Sequence, residues 1–271
     1  MPELSIIIVH FRAPELLKLC LSSIEKTMAG QSTLDYEIIV VDSATTRKSR
    51  DVIKEKFPQV KFLPFRENLG YSRGVNIGLK NAEGNYFLIL NPDIILKETS
   101  ITRMLDYLKK HPDIGILGPR VLNFDGSLQR TFFSFYKPAT VIARRTPLGR
   151  LKPFRNTLND FLMLDVDPQK IQTPDWVMGS AMMLSRRAYE KVGGMDERFF
   201  MYFEDVDWAR RFWHNDYKVV YYPDAVVFHY LKRESKSRLG LLDALFNKKT
   251  RWHIGSAIKF FLKYRDLANP K

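Results

Sequence analysis

One cysteine, Cys20, occurs in 271 residues. No intramolecular disulfide framework can therefore hold the chain, and a reducing compartment is expected. No run of about 18 apolar residues occurs, so the sequence predicts no membrane-spanning helix. The start, Met1-Pro2-Glu3-Leu4, lacks a basic segment before its short apolar run, and no secretory signal is expected. Zinc-spaced Cys/His clusters, a Ser-His-Asp arrangement, a nucleic-acid module and glycine-rich phosphate loops are all missing. Acidic residues are in short supply: 30 Asp plus Glu stand against 43 Lys plus Arg, for a net charge of +13. The imbalance is local. Leu231 to Lys271 holds 11 basic and 3 acidic residues, Lys137 to Arg155 holds 6 basic and none acidic, and the other 211 residues carry −1. Basic clusters of this kind suit an anionic partner: nucleic acid, a membrane surface or a phosphorylated substrate.

What is present is a foldable chain. Hydrophobic residues make up 45% and charged residues 27%, a balance that excludes a disordered chain, and the length suits one large α/β domain or two small ones. Leu4 to Val9 and Tyr36 to Val41 are β-branched runs that read as strands buried on both faces. Val60 to Leu63, Tyr86 to Leu90 and Ile114 to Leu117 read as further strands. Pro14 opens a helical pattern through Ile24, and Asp51 to Phe57, Tyr71 to Ala82 and Thr99 to Lys110 are also helical. Strands alternating with helices predict a doubly wound, mostly parallel sheet, whose ligands bind at the carboxyl ends of the strands. From Asn123 to Asp175 the many prolines and the weak periodicity suggest irregular structure or short strands. Val177 to Leu184 then reads as a strand, Arg187 to Val192 and Asp205 to Trp213 as helices, Lys218 to Tyr222 as a strand, and the basic end as helical.

The strand ends carry the polar chemistry. Asp42 follows the second strand, where a carboxylate can accept from a nucleoside or can cap a turn. Gly70, Gly74 and Gly78 recur every four residues, a smooth stripe that suits helix-to-sheet packing or a close ligand; Arg73 between them can reach a phosphate or a base carbonyl. Asn91-Pro92-Asp93 follows the fourth strand, placing a carboxylate where a hard divalent cation could bridge phosphates, or where a turn needs it. Glu204, Asp205 and Asp207 open a helix, where acids meet the helix dipole favourably. The aromatic surround of Phe199, Phe200, Tyr202, Phe203 and Trp208 suggests a sugar-stacking, partly dry site in which a carboxylate works as a general base. His229 is a metal-ligand candidate or a structural histidine. Cys20 sits at core spacing.

In order, SIIIVHF from Ser5, VVDSAT from Val40, ENLGYSRGVNIGL from Glu67, LILNPDI from Leu88, GSAMMLSRRAYEKVGGMDERFFMYFEDVDWARR from Gly179, and His229 with Ser235 resemble the glycosyltransferase family 2 enzymes of the GT-A fold, in the bacterial rhamnosyltransferase-like branch. The likeness covers about residues 4 to 235. It implies a GT-A catalytic domain over 1–235, with a nucleotide-sugar-binding half (1–120) and an acceptor and catalytic half (121–235), followed by a basic amphipathic tail (236–271). It implies that Asp42 contacts the nucleoside, Arg73 the base or phosphates, and that Asn91-Pro92-Asp93 stands for the family's D-x-D motif, with Asp93 carrying most of the Mg²⁺ or Mn²⁺ binding and His229 adding a metal or diphosphate contact. His10, where the family usually has Asn, joins the donor side with Asn91. Asp205, paired with Glu204, is the implied base; Trp176, Tyr202, Phe203 and Trp208 are the acceptor-side candidates.

The implied activity is inverting transfer from a nucleotide sugar, dTDP-L-rhamnose or alternatively a UDP-sugar, to a lipid-linked glycan of the undecaprenyl diphosphate type, peripherally on the cytoplasmic membrane face. The helical face Ile254, Ala257, Ile258, Phe261 and Leu262 reads as a core-packed or interfacial helix. On this reading Lys137 to Arg155 faces the acceptor's phosphates and Leu231 to Lys271 faces an anionic bilayer. Nucleic acid is not an expected partner, because the carboxylates between the basic segments would repel a polyanion. A nucleotidyltransferase is the other enzymatic reading and lacks a glycine-rich loop at the first strand.

Overall fold

The computed structural model describes residues 1–30, 34–230 and 247–271; Ser235 and the rest of 231–246 lie outside the described residues. The chain opens with β1 (Leu4–Phe11), α1 (Pro14–Met28), β2 (Tyr36–Ser43), α2 (Arg47–Lys56), β3 (Lys61–Pro64), α3 (Tyr71–Asn81) and β4 (Tyr86–Leu90). These strands pair in parallel, β3 to β2 to β1 to β4. Alternate residues of β1 feed two cores. Ile7 and Val9 pack with Val75 and Leu79 of α3, while Leu4, Ile6 and Ile8 pack with Leu17, Leu21 and Ile24 of α1. That is why the middle of β1 (Ile6–Val9) and of β2 (Ile38–Val41) is apolar on both faces.

The glycine stripe of α3 is a packing device. A Cβ on Gly74 would lie 2.6 Å from Val9 Cγ1, and one on Gly78 would lie 2.3 Å from Ile7 Cγ2. The helix lies so close to β1 that only glycine fits at both positions. Gly70 caps the helix at φ +75°, where a Cβ would meet the Phe200 carbonyl.

Next come β5 (Ile94–Leu96), α4 (Ser100–Lys110), β6 (Ile114–Leu122), β7 (Leu128–Gln129) and β8 (Phe132–Phe133). The stretch expected to be irregular or in short strands does hold the short β7 and β8, but its middle forms α5 (Pro138–Arg145), a 3-10 turn (Pro147–Arg150) and α6 (Lys152–Leu162). Its prolines begin these helical elements instead of breaking them: each has a proline in its first turn, where the missing N–H costs nothing.

The strand expected over Val177 to Leu184 is two strands, β9 (Trp176–Val177) and β10 (Ala181–Ser185), interrupted at Gly179. α7 (Arg186–Val192), α8 (Glu204–His214), β11 (Lys218–His229) and α9 (Lys248–Tyr264) follow. β10 enters the sheet antiparallel to β4, so the complete order is β3-β2-β1-β4-β10-β6-β11-β5 with β7 on β6. β11 runs past its expected end at Tyr222, through a register shift, to pair antiparallel with β5. That pairing sets His229 opposite Ile94, one residue from Asp93.

The C-terminal helix packs on the molecule. Ala257, Phe260 and Tyr264 are buried against it, whereas Ile258 and Leu262, expected on the same face as Ala257, are 54% and 62% exposed. No helix among the described residues is long and apolar enough to cross a membrane.

Candidate active site

The carboxyl ends of β1 and β2 hold a closed polar pair. His10 and Asp42 are wholly buried, and His10 Nδ1 donates to Asp42 Oδ1 at 2.6 Å. The Ala13 N–H donates to His10 Nε2 at 2.9 Å, so the ring proton is assigned to Nδ1. Asp42 Oδ2 takes a hydrogen bond from the Ser49 hydroxyl at 2.7 Å. Ser49 belongs to the capping box that opens α2. Both carboxylate oxygens are thus engaged, and the pair ties the starts of α1 and α2 to the sheet. Arg73 lies on the first turn of α3, half exposed, in a surface ion pair with Glu67 at 3.2 Å. Such a pair is worth little, so the guanidinium is free to exchange it for a phosphate.

Asn91 and Asp93 follow β4. The Asn91 N–H donates to the Ser180 carbonyl, holding this turn to the start of β10. Asp93 Oδ1 is buried without a hydrogen-bond partner, and His229 Nε2 stands 3.3 Å from it. The other ring nitrogen of His229 lies 2.7 Å from Gln129 Oε1. An amide oxygen only accepts, so the proton sits on Nδ1 and Nε2 presents a lone pair. The facing lone pairs can be bridged by a proton on Nε2, as an ion pair, or by a cation beside them. One carboxylate and one imidazole, with the remaining positions left to diphosphate oxygens and water, form a set that Mg²⁺ or Mn²⁺ accepts.

Glu204 and Asp205 start α8. The chain reaches them through Tyr202 and Phe203, both at left-handed φ (70° and 68°), a strain bulky residues adopt only where surrounding contacts impose it. Asp205 Oδ2 accepts from the Gly179 N–H at 3.0 Å and Oδ1 from the Val206 N–H at 2.9 Å. Burial pushes its pKa up to about 6, although these backbone donors act to lower it. Glu204 is buried, its Oε2 has no partner, and burial followed by the Asp205 charge raises its pKa well above the carboxylate range. The Tyr71 hydroxyl donates to the Gly179 carbonyl. Burial, then the charges of Glu204, Asp205 and Asp93, raise the Tyr71 pKa well above its ordinary value. The two acidic centres therefore share one electrostatic neighbourhood around this ring. Asp207, the third acid, has a different job. It is fully buried and accepts from Arg211, Lys263 and the Tyr264 hydroxyl, anchoring α9 to α8.

The aromatic candidates separate. Trp208 is fully buried with its indole N–H donated to the Gly193 carbonyl at 2.8 Å, so it offers no face to a sugar. Trp176 and Phe203, 5% and 3% exposed, belong to an internal stack. Tyr136 lies 5.8 Å from Trp176 and 4.7 Å from Phe203, and Phe161 lies 4.5 Å from Tyr136. Tyr202 alone of the four is partly open.

Comparison with known proteins agrees with this geometry. The model of the family described as "Glycosyl transferase family 2" matches residues 5–193. The chain belongs to glycosyl transferase family 2. A model described as "N-terminal domain of galactosyltransferase" also matches residues 163–233. Among curated relatives, an N-acetylglucosaminyl-diphospho-decaprenol L-rhamnosyltransferase of Mycobacterium tuberculosis is 28% identical over 71% of this chain and 66% of its own length. Rhamnosyltransferase WbbL of Escherichia coli (strain K12) is 26% identical over 69% of this chain and 66% of its own length. The chain thus spans just under two thirds of these relatives. They place it in the rhamnosyltransferase-like branch.

Two solved structures share the GT-A fold at 15% identity. GalNAc-T7 with UDP, GalNAc and Mn²⁺ has a TM-score of 0.64, over 86% of this chain and 44% of its own. The mannosyltransferase PcManGT from Pyrobaculum calidifontis, in complex with GDP-Man and Mn²⁺, has a TM-score of 0.59, over 98% and 76%.

Several site residues of this family 2 chain carry no local sequence signal. Gln129 orients His229 from 100 positions away. Asn76 of α3 holds the loop before α8 through the Met195 carbonyl, and Ser72 bonds the Phe199 carbonyl. The ENLGYSRGVNIGL segment and the long Gly179–Arg211 block are therefore one spatial unit, a fact available only from their pairing. Phe124 and Tyr230, 59% and 53% exposed with rings 6.0 Å apart, put open aromatic faces at the end of β11 beside His229. Phe124 is hidden between Asn123 and Asp125, and Tyr230 at the end of an apolar run reads as core.

Proposed function

We propose that this chain is an inverting, metal-dependent sugar transferase that moves L-rhamnose from dTDP-L-rhamnose to a hydroxyl of a lipid-linked glycan of the undecaprenyl diphosphate type, working peripherally at the cytoplasmic membrane face. One observation carries the reading. Asp205, held by two backbone N–H groups and poised near pH 6, shares the Tyr71 neighbourhood with Asp93. A base and a diphosphate-side carboxylate in one neighbourhood are the two parts a single displacement needs.

Asp205 takes the acceptor hydroxyl proton as that oxygen attacks the anomeric carbon, and the bond to the diphosphate oxygen breaks on the opposite face. Asp93 and His229 would hold the divalent cation, which supplies charge neutralisation for the departing diphosphate. Arg73 leaves Glu67 for the donor. Glu204, kept neutral by its burial, lets Asp205 be the member of the pair that ionises. The names of the rhamnosyltransferase relatives support both the sugar and the diphospho-polyprenol acceptor, and the Mn²⁺-bound structural neighbours support the cation.

The deciding experiment supplies dTDP-L-rhamnose, Mn²⁺ or Mg²⁺ and a diphospho-polyprenol-linked GlcNAc. Rhamnosylated lipid and free dTDP are expected, in equal amounts. Pyrophosphate release would instead identify a nucleotidyltransferase, and transfer only from a UDP-sugar would overturn the donor.

A further inference from the structure

The described parts of the two basic segments differ in how their cations are held. In the second half of α9 and just past it, the cations have partners within the protein. Lys263 pairs with Asp196 and Asp207, Lys259 donates to the Arg198 carbonyl, and Arg265 pairs with Asp266. In the hairpin of α5, the 3-10 turn and α6, Arg150, Lys152 and Arg155 are exposed and make no ion pair among the described residues. The stretch from Lys137 to Arg155 contains no acidic residue to balance them. Leu148 and Leu151 alternate with these cations at the tip, 42% and 54% exposed, and Ile142 is 44% exposed. The interior side of the hairpin is already satisfied, with Ala143 and Phe161 buried and Phe161 stacked on Phe133 at 5.3 Å. The exposed leucines therefore answer to nothing inside the protein.

We infer that the tip of this hairpin docks on an anionic lipid bilayer, with Leu148 and Leu151 entering the interface and Arg150, Lys152 and Arg155 lying at the headgroup phosphates. Leucines flanked by cations without acids are what such a surface selects, because apolar burial and attraction to anionic lipid add. The hairpin is also well placed. Its root is the Tyr136–Phe161–Trp176–Phe203 stack, and Phe203 immediately precedes Glu204 and Asp205. Docking would bring the base to the height of a lipid-linked hydroxyl. The benefit to catalysis rests on the acceptor proposed above; the docking itself does not. The buried Trp176 and Phe203, expected to stack on acceptor sugar, become the mechanical link between lipid surface and base. This reassigns the hairpin from acceptor phosphates to bilayer and relieves the C-terminal helix of that role.

The test is flotation of the full chain with vesicles of phosphatidylcholine alone or mixed with phosphatidylglycerol, with no acceptor or donor present. Binding to the anionic vesicles, weakened by salt, is expected. Replacing Arg150, Lys152 and Arg155 by Gln should lower partitioning roughly a hundredfold. Leu148→Glu with Leu151→Glu should lower it by about tenfold or more. Ile258→Glu with Leu262→Glu on α9 should leave it unchanged. All these positions are exposed, and unchanged melting temperatures would show that the fold is intact. The proposal is overturned if the hairpin variants float like the parent, if the α9 variant loses binding instead, or if the leucine variant binds normally. Because no transfer is measured, a wrong donor or acceptor cannot produce any of these results.

Discussion

At Asp205 the environment sets both a rate and a stability. Its carboxyl must be ionised to take a proton, and burial puts its pKa at about 6. The transfer rate should therefore climb as pH rises through about 6 and level off above it. Asp205→Asn should lower turnover by roughly 10²–10⁴-fold while the donor dissociation constant stays near the parent's. A variant with parental turnover would remove Asp205 as the base. Glu204→Gln, by contrast, swaps one neutral buried group for another of the same shape. It should keep most of the turnover and leave the acidic limb where it was. If the limb disappeared, the roles within the pair would be reversed. The stability consequence has the opposite sense to the activity. A carboxyl whose pKa is raised by folding contributes its full stability below its unfolded value near 4, and that contribution is lost as pH rises through about 6. The difference in melting temperature between Asp205→Asn, which does not titrate, and the parent should shift in favour of the variant between pH 5 and 7.5. A difference constant with pH would contradict the raised pKa.

At the scale of elements, α3 and α9 do the positioning, from opposite sides of one loop. α3 holds it through the Tyr71 N–H, which donates to the Phe200 carbonyl, and through Ser72 and Asn76. α9 holds it through Ser256, whose hydroxyl donates to the Met201 carbonyl at 3.0 Å, and through the Lys263 bridges. The left-handed Tyr202 and Phe203 lie against α9, with the His253 ring 5.1 Å from Tyr202 and the Phe260 ring 5.4 Å from Phe203, while α3 fixes Phe199 and Phe200 just before them. Gly78→Ala would drive a methyl to 2.3 Å from Ile7 Cγ2, and overpacking of this kind costs about 1–3 kcal/mol, readable as a lower urea midpoint. Lys263→Met should destabilise by about 2 kcal/mol through the lost charged hydrogen bonds and reduce kcat while donor affinity holds; an unchanged kcat would mean α9 does not support the base. The elements show what was legible. Apolar runs announced β1, β2 and β4 because both their faces are buried. The proline-rich stretch misled because a proline reads as a breaker until its place in the first turn is seen. The break at Gly179 is hidden because one apolar strand and two strands with a turn between them have the same composition.

For the whole molecule, the legible part of the site is the carboxylates, and the illegible part is what faces them. Asp93 follows a strand and Asp205 opens a helix, so the sequence points at both. Gln129, His229 and Asn76 find their partners about 100 positions away, and only the closing of β11 onto β5 and of α3 onto the loop before α8 supplies them. The coupling that results can be measured without turnover. The orphaned Asp93 Oδ1 and the Nε2 lone pair of His229 favour a cation, and the cation favours the diphosphate, so metal and donor should stabilise the fold together. Saturating dTDP-L-rhamnose at a hundred times its dissociation constant adds about 2.7 kcal/mol, which for a chain of this size raises the melting temperature by about 5–10 °C. That rise should need Mn²⁺ or Mg²⁺, shrink on chelation, and lose its metal dependence in Asp93→Ala, with His229→Ala intermediate. A donor-induced rise that survives chelation in the parent protein would place the diphosphate elsewhere, against Arg73 and the α3 turn, and would leave Asp93 and His229 as an ion pair closing β5 onto β11.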